Sequence, residues 1–91
     1  MTIDEAPNFN GVYPGSGERI GPAWRAMWAV MSDGQWHQRA EVISAGVAAG
    51  PIEARTAENL ILTASRVGVV DRQIRRCADG RKRGWHRRPK A

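Results

Sequence analysis

The sequence is poor in the residue types that form disulfides, metal sites and membrane spans. Its 91 residues include one cysteine, Cys77, and two histidines, His37 and His86. A single cysteine excludes an internal disulfide, and these three residues have no spacing typical of a zinc site. No apolar run approaches the roughly 20 residues that a membrane-spanning helix needs. We therefore expect a protein without a cofactor, a bound metal or a membrane partner.

A catalytic arrangement is also missing from the sequence. The side chains of Asp33, His37, Glu41, Cys77 and His86 are of types that serve as acids, bases or nucleophiles. Their spacing does not bring a nucleophile together with a base and an orienting group. A chain of 91 residues also has room for only one modest core. We expect no catalytic residues and interpret the protein as a binding domain, not as an enzyme.

The first twenty residues lack both a signal peptide and a regular pattern. The N-terminus MTIDEAPNFNG has neither the charged start nor the apolar stretch of a signal peptide, which predicts a cytoplasmic protein. Proline, asparagine and glycine are frequent here, with no sustained hydrophobic period. We predict a flexible arm over residues 1–20, one folded domain over 21–88 and a basic tail over 89–91.

Positive charge is concentrated at the C-terminal end of the chain, and acidic residues are scarce there. The formal net charge is +5. Residues 72–91 carry seven Arg and two Lys against a single acid, Asp79, a net charge of +8, whereas residues 1–20 and 21–71 are both slightly negative. This asymmetry favours a polyanionic partner, usually nucleic acid and less often an anionic membrane surface.

The apolar residues after the arm predict a first helix over residues 22–32. Large apolar side chains recur at i, i+3, i+4 and i+7, the spacing of one helix face. These residues are Trp24, Met27, Trp28 and Met31. We expect them to form core and not an aromatic ligand site, because a domain this small needs large side chains to bury enough area.

A short strand and a second helix should follow. Trp36 is the expected inward residue of Gln35-Trp36-His37, and the second helix has a predicted apolar edge with Arg39 and Glu41 facing water. That edge comprises Ala40, Ile43 and Val47, with Val42 beside it. Gly46 weakens the helix but permits close approach of a neighbour. His37 could contact a phosphate, although a satisfied polar residue at the start of a helix is the favoured interpretation.

The most informative stretch is PIEARTAENLILTASRVGVVD, residues 51–71, which predicts a long helix starting at Pro51. Ala57, Leu60, Ile61 and Ala64 form one apolar stripe, and Arg55, Asn59, Leu62 and Arg66 form the opposite face. Gly68 should end the helix, and the β-branched residues after it should open a strand. One face of the helix is therefore expected to pack and the other to meet a partner.

The C-terminal residues predict a basic β-hairpin. A two-residue turn at Asp79-Gly80 would pair Ile74 with Trp85, whereas a competing turn at Arg83-Gly84 would change the register. The tip would gather Arg75, Arg76, Arg81, Lys82 and Arg83. Such crowded positive charges are costly without a nearby anion, which indicates a site for phosphates.

This order of elements resembles the winged helix-turn-helix family of small bacterial or phage regulators. The likeness lies in DGQWHQRAEVI, in LILTASRVGVVDRQ and in RRCADGRKRGWHRR, and it covers about residues 22–88. The resemblance implies a mainly α fold with a small β-hairpin, in which three helices pack with a two- or three-stranded wing sheet.

The resemblance also implies which residues would contact DNA. The third helix of the family enters the major groove, where arginine can grip guanine and asparagine can grip adenine. The base-contacting residues here would be Arg55, Thr56, Asn59 and Thr63. The residues on the backbone or in the minor groove would be His37, Arg39, Arg66, Arg75, Arg76, Arg81, Lys82, Arg83, Arg87 and Arg88.

The sequence thus favours a double-stranded DNA-binding protein that regulates transcription or assists recombination. The alternative is a winged-helix module that binds and modulates a partner protein, because Leu62 lies among polar residues and Glu53 and Glu58 share the outward face. RNA binding is a weaker alternative, since no array of exposed aromatic residues is evident. A homodimer is left open.

Overall fold

The computed structural model describes residues 6–7, 17–50 and 52–89 of the chain. Within them lie three helices and three strands, in the order α1 Gly17–Val30, β1 His37–Gln38, α2 Arg39–Ala49, α3 Ala54–Val67, β2 Asp71–Arg76 and β3 Lys82–Arg87. The strands form one antiparallel sheet in the order β1-β3-β2. The predicted combination of three helices with a small sheet is confirmed. None of the described helices is both long and apolar enough to cross a bilayer.

The core lies between the helices and uses the predicted stripes of α1 and α3. Trp24 and Met27 of α1 are fully buried, as is Met31 directly after it, and Trp28 packs against them partly buried. The α3 residues Ala57, Leu60, Ile61 and Ala64 are also buried, as predicted. A large apolar side chain buried in this way contributes about 1.5–3 kcal/mol to folding, so these few residues supply much of the stability.

Two helix starts differ from the prediction. α1 begins at Gly17 and contains Pro22, so residues 17–20 belong to the helix and not to an arm. The predicted start of this helix at Pro22 is too late, because the prediction assumed that proline marks a helix start. Pro22 instead lies inside α1, where it removes one backbone hydrogen bond. α3 begins at Ala54 after Glu53, an extended N-cap, and not at Pro51, which lies outside the described residues.

Most of the predicted arm also lies outside the described residues. Apart from residues 17–20 of α1, the exceptions are Ala6 and Pro7. Ala6 packs against the core, and Trp24 Nε1 donates a hydrogen bond of 2.8 Å to the Pro7 carbonyl oxygen. These two residues are therefore docked on the domain.

The predicted packing face of α2 is wrong. Its buried residues are Val42 and Gly46, whereas Ala40 and Val47 are exposed and Ile43 is only partly buried. A β-carbon at position 46 would lie 2.7 Å from the Met27 sulfur. Close contact with α1 thus selects the face with the smallest residue, a preference that the apolar pattern alone could not reveal.

The hairpin register is also different from the prediction. Ile74 pairs with Gly84, and Trp85 pairs with Gln73. The turn is a three-residue loop, because the Cys77 amide donates to the Arg81 carbonyl over 2.7 Å. Such loops place a glycine in the left-handed region at their last position, here Gly80 with φ 84°. The shift of one residue puts each β2 side chain opposite a different partner from the predicted one.

Replacement of Gly68 by alanine should lower the free energy of unfolding by about 1–2 kcal/mol, because α3 ends there in the left-handed conformation that a β-carbon disfavours. Gly68 has φ 91°, and no atom lies within 4 Å of a β-carbon added there, so the effect should be purely conformational. Urea unfolding followed by tryptophan fluorescence measures it. Gly68→Asn is the matched control and should lose less, and an alanine variant as stable as the parent would contradict this helix end.

Candidate nucleic-acid interface

The outward face of α3 is polar and accessible over its whole length. Arg55, Asn59 and Arg66 are exposed, as predicted. Thr56 and Thr63 flank them and are half-buried. Leu62 is half-buried as well, which differs from its expected exposure among the polar residues. The helix therefore presents a row of hydrogen-bonding side chains with little apolar surface between them.

A groove runs along the C-terminal half of this face and has a volume of about 520 Å³. Its lining comes from three elements, with arginines of α2 and β2 facing the polar residues of α3. The lining residues are Arg39, Asn59, Leu62, Thr63, Ser65, Arg66 and Arg72. Three of these carry positive charge, and none of the described residues that line the groove is a carboxylate. The groove is thus suited to an anion.

Arg72 belongs to this groove although the sequence analysis did not select it. It is exposed on β2 and pairs across the sheet with His86. The sequence predicts a phosphate site at the hairpin tip because positive charges cluster there, whereas Arg72 lies near the start of β2, away from that tip. Only the packing of the sheet beside α3 brings it into the same groove as Arg66, and no local sequence signal predicts that placement.

Arg39 is half-buried between α2 and β3 and does not face water as predicted. Its Nε donates a hydrogen bond of 3.1 Å to His86 Nε2. The guanidinium lies directly against Gly84, where an added β-carbon would overlap it. Burial lowers the pKa of Arg39, the charge of Arg72 lowers it further, and Glu58 opposes both. The side chain remains charged, because the ordinary pKa of arginine is above 12.

His86 is fully buried and holds Arg39 in place. Since its Nε2 accepts from Arg39, its Nδ1 carries the proton and donates to Ser65 Oγ over 3.0 Å. Ser65 Oγ in turn donates to the Ile61 carbonyl oxygen over 2.8 Å. Burial, followed by the charges of Arg39 and Arg72, lowers the pKa of His86 to about 4. A neutral imidazole therefore links α2, α3 and β3 at neutral pH.

His37 has a different environment. Its Nε2 lies 2.8 Å from Asp33 Oδ1, and its Nδ1 lies 2.8 Å from Glu41 Oε2. Burial lowers the pKa of His37, but the hydrogen bonds to Asp33 and Glu41 outweigh it and raise the pKa above 6.5. The hydrogen bond to His37 lowers the pKa of Asp33. Both ring nitrogens are satisfied, which agrees with the favoured interpretation and leaves His37 out of the candidate interface.

The wing, which we define as β2, β3 and the loop between them, is basic at its tip. Arg76, Arg81, Lys82 and Arg83 are exposed. The Arg83 guanidinium lies 3.7 Å from the Asp79 carboxylate, a weak surface pair. Lys82 and Arg83 also line a cleft of about 220 Å³ together with Glu58 of α3 and with Arg39. The start of β3 therefore shares this cleft with α3.

Two further arginines of the wing are held on the opposite face of the sheet. The Arg75 guanidinium lies 4.7 Å from the Trp85 ring centre and 5.5 Å from that of Trp36. Arg87 lies 4.4 Å from the Trp36 ring centre and donates to Asp71 over 3.1 Å. Trp36 is half-buried beneath these arginines, outside the core in which it was expected. The structure does not bring Arg75 or Arg87 to the groove.

Arg88 is likewise engaged by the domain. Its Nε and Nη2 donate to the Trp28 carbonyl oxygen over 3.0 and 2.6 Å, and its guanidinium lies 4.4 Å from the Trp28 ring centre. Residues 90 and 91 of the predicted basic tail lie outside the described residues. Over the described parts of the chain, no group of three or more His, Cys, Asp or Glu could hold a metal ion.

The two histidines should titrate on opposite sides of pH 6.5. We expect the imidazole C–H signals of His86 to follow a pKa of about 4 and those of His37 to follow a raised pKa. A pH titration of the full chain by NMR measures both values, and His37→Asn assigns the signals because it leaves one histidine. A His86 signal that titrates near 6.5 would contradict a neutral, buried imidazole.

Comparison with known proteins assigns no family to this chain. No family model, curated protein or solved structure matches it. The groove, the wing and the exposed face of α3 therefore carry the functional inference by themselves.

Proposed function

We propose that this protein binds double-stranded DNA through the exposed face of α3 and the basic wing. The observation that carries the proposal is the groove, where Asn59 and Thr63 lie beside Arg39, Arg66 and Arg72 with no carboxylate in the described lining. The order of helices and strands supports it, because the resemblance to winged helix-turn-helix domains implies the same order. Regulation of transcription or assistance in recombination would follow from such binding.

The helix would read the bases. The 14 residues of α3 extend for about 21 Å, and the major groove, about 12 Å wide, admits a helix. Arg55 and Asn59 are exposed in its N-terminal half, and they can form bidentate hydrogen bonds with guanine and adenine respectively. Thr56 and Thr63 flank them and can hydrogen-bond a base or touch a thymine methyl group. Sequence preference is therefore assigned to these four side chains.

The wing would hold the backbone. Arg81, Lys82 and Arg83 are exposed at the tip, and Lys82 and Arg83 share a cleft with Glu58 of α3. Arginine suits the narrow minor groove, where the potential is most negative. These contacts would add affinity without sequence preference. Glu58 shares the cleft with Lys82 and Arg83, so it should weaken binding to every sequence alike.

A protein partner has less support. Leu62, which suggested one, is half-buried in the lining of the groove. Among the described residues, the exposed large apolar side chains are Val47, Val67 and Ile74, on α2, α3 and β2. We do not assign a protein-binding or homodimer surface to them. Retention of a stoichiometric protein without any DNA binding would instead favour that alternative.

Joint replacement of Arg81 and Arg83 by alanine should weaken binding to all duplexes. Each lost phosphate contact reduces the slope of log affinity against log salt by about 0.9, so we expect a reduction of about 1–2. Fluorescence anisotropy with mixed-sequence duplexes over a salt series measures the slope. The matched control replaces both arginines by lysine and should keep most of it. If the alanine variant keeps the slope of the parent, the wing does not contact phosphates.

Replacement of Asn59 by alanine should chiefly relax sequence preference. Selection from a random duplex pool would first identify the preferred site of the parent. The variant should then lose about 1–3 kcal/mol of discrimination at one position, the usual value of a bidentate base contact. Glu58→Ala is the control, because loss of its charge should raise affinity for all sequences and leave preference intact. Failure of the parent to retain any duplex at low salt would overturn the proposed function.

A further inference from the structure

Three arginines converge on the groove, and no described residue in its lining is a carboxylate. Arg39, Arg66 and Arg72 line it, and none of them forms an ion pair with a described residue. Arg87, on the other side of the sheet, has the partner that these lack, since it pairs with Asp71. Like charges held together in a partly desolvated groove repel one another. The groove therefore contains a charge arrangement that an anion would stabilise.

The Arg39 guanidinium is fixed before any ligand arrives. Its Nε is bonded to His86, and its Nη2 is buried against Gly84 with no hydrogen-bond partner in the described structure. An arginine on an open surface loses side-chain entropy when it binds. Arg39 has already lost most of that freedom on folding, so its binding to a phosphate should cost less side-chain entropy than binding by the exposed wing arginines.

From this geometry we propose that the groove is a preformed site for one phosphate group, formed by Arg39, Arg66 and Arg72, with His86 as the positioning residue for Arg39. Guanidinium groups match the oxygens of a phosphate, and the charge-assisted hydrogen bonds are about twice as strong as neutral ones. The source of the phosphate rests on the proposed function and is a phosphodiester of the bound duplex.

The role of His86 follows from its tautomer. His86 Nδ1 donates to Ser65 Oγ, whose own proton is donated to the Ile61 carbonyl oxygen. With the imidazole proton on Nδ1, Nε2 is free to accept from Arg39. His86 accepts from Nε and Gly84 covers Nη2, so Nη1 is the nitrogen whose N–H groups are left to meet an anion. A neutral partner also leaves the charge of Arg39 intact, whereas a carboxylate in the same place would neutralise it.

Inorganic phosphate is the first probe, added to the full chain at constant ionic strength with chloride as the reference anion. Phosphate should raise Tm more than chloride does and should shift the Arg39 Nε–H signal in NMR spectra. Arg72→Gln should leave Tm in chloride unchanged or higher, because it removes repulsion, and should abolish the phosphate-dependent rise. Arg25→Gln, which removes one charge on exposed α1 surface, is the matched control and should keep the rise.

The second probe is a duplex over a salt series. Arg39→Gln should reduce the salt slope by about 0.9, the value for one phosphate, and lower affinity about tenfold. Gly84→Ala retains every charge, but its β-carbon would displace the Arg39 guanidinium from its position against residue 84. It should therefore lower the affinity for the duplex by a similar factor. His86→Gln should resemble Gly84→Ala in affinity while the Arg39 Nε–H signal broadens or moves.

The outcomes separate this site from the proposed function. A phosphate-dependent rise in Tm that survives both Arg39→Gln and Arg72→Gln would overturn the site. Duplex binding whose slope and affinity are unchanged in Arg39→Gln and Gly84→Ala would also overturn it and leave DNA binding intact. Phosphate binding lost in these variants, in a protein that retains no duplex, would support the site and reject a phosphodiester of DNA as its source.

Discussion

A hydrogen bond from Arg39 to the buried, neutral His86 is the contact on which the candidate interface depends. It joins the first residue of α2 to β3, and through Ser65 it also joins both to α3. α2 and α3 line the groove, and β3 pairs with β2, which supplies Arg72 to it, so the relative positions of these elements depend on one imidazole. A charged imidazole there would repel the guanidinium. It would also no longer accept from Arg39 Nε, which has no other acceptor among the described residues. The geometry therefore requires that His86 stay neutral.

The sequence predicts elements where one local rule dominates. The α3 stripe from Ala57 to Ala64 follows from helical period alone, and the end of α3 follows from Gly68, whose φ of 91° suits glycine. Prediction from the sequence fails where two local rules favour different structures. Asp79-Gly80 suits a two-residue turn, but it also suits the end of a three-residue loop, and the structure adopts the latter. The apolar edge of α2 competed with the small Gly46, and close packing favoured the glycine.

The candidate site was predicted in part for the same reason. Arg55, Asn59 and Arg66 were found because a helical wheel places them on the face opposite the core. Arg72 and the seat of Arg39 depend on how the sheet packs beside α3, which no local spacing specifies. The sequence predicts the same role, a contact with the DNA backbone or minor groove, for all the arginines after residue 72. Their structural surroundings nevertheless differ. Arg75 and Arg87 stack on tryptophans, whereas the tip residues are exposed.

The two histidines connect this geometry to pH in opposite directions. The lowered pKa of His86 means that the unfolded chain takes up a proton more readily than the folded one between about 6.5 and 4. The contribution of His86 to the free energy of unfolding is therefore complete above pH 6.5. It decreases by about 3 kcal/mol in total as the pH falls towards and below 4. The raised pKa of His37 acts in reverse, since its contribution is complete below pH 6.5 and declines as the pH rises through its folded value. At neutral pH the groove thus retains both the neutral acceptor and the charged guanidinium that an anion site needs, whereas acid protonates the acceptor and leaves the arginines charged.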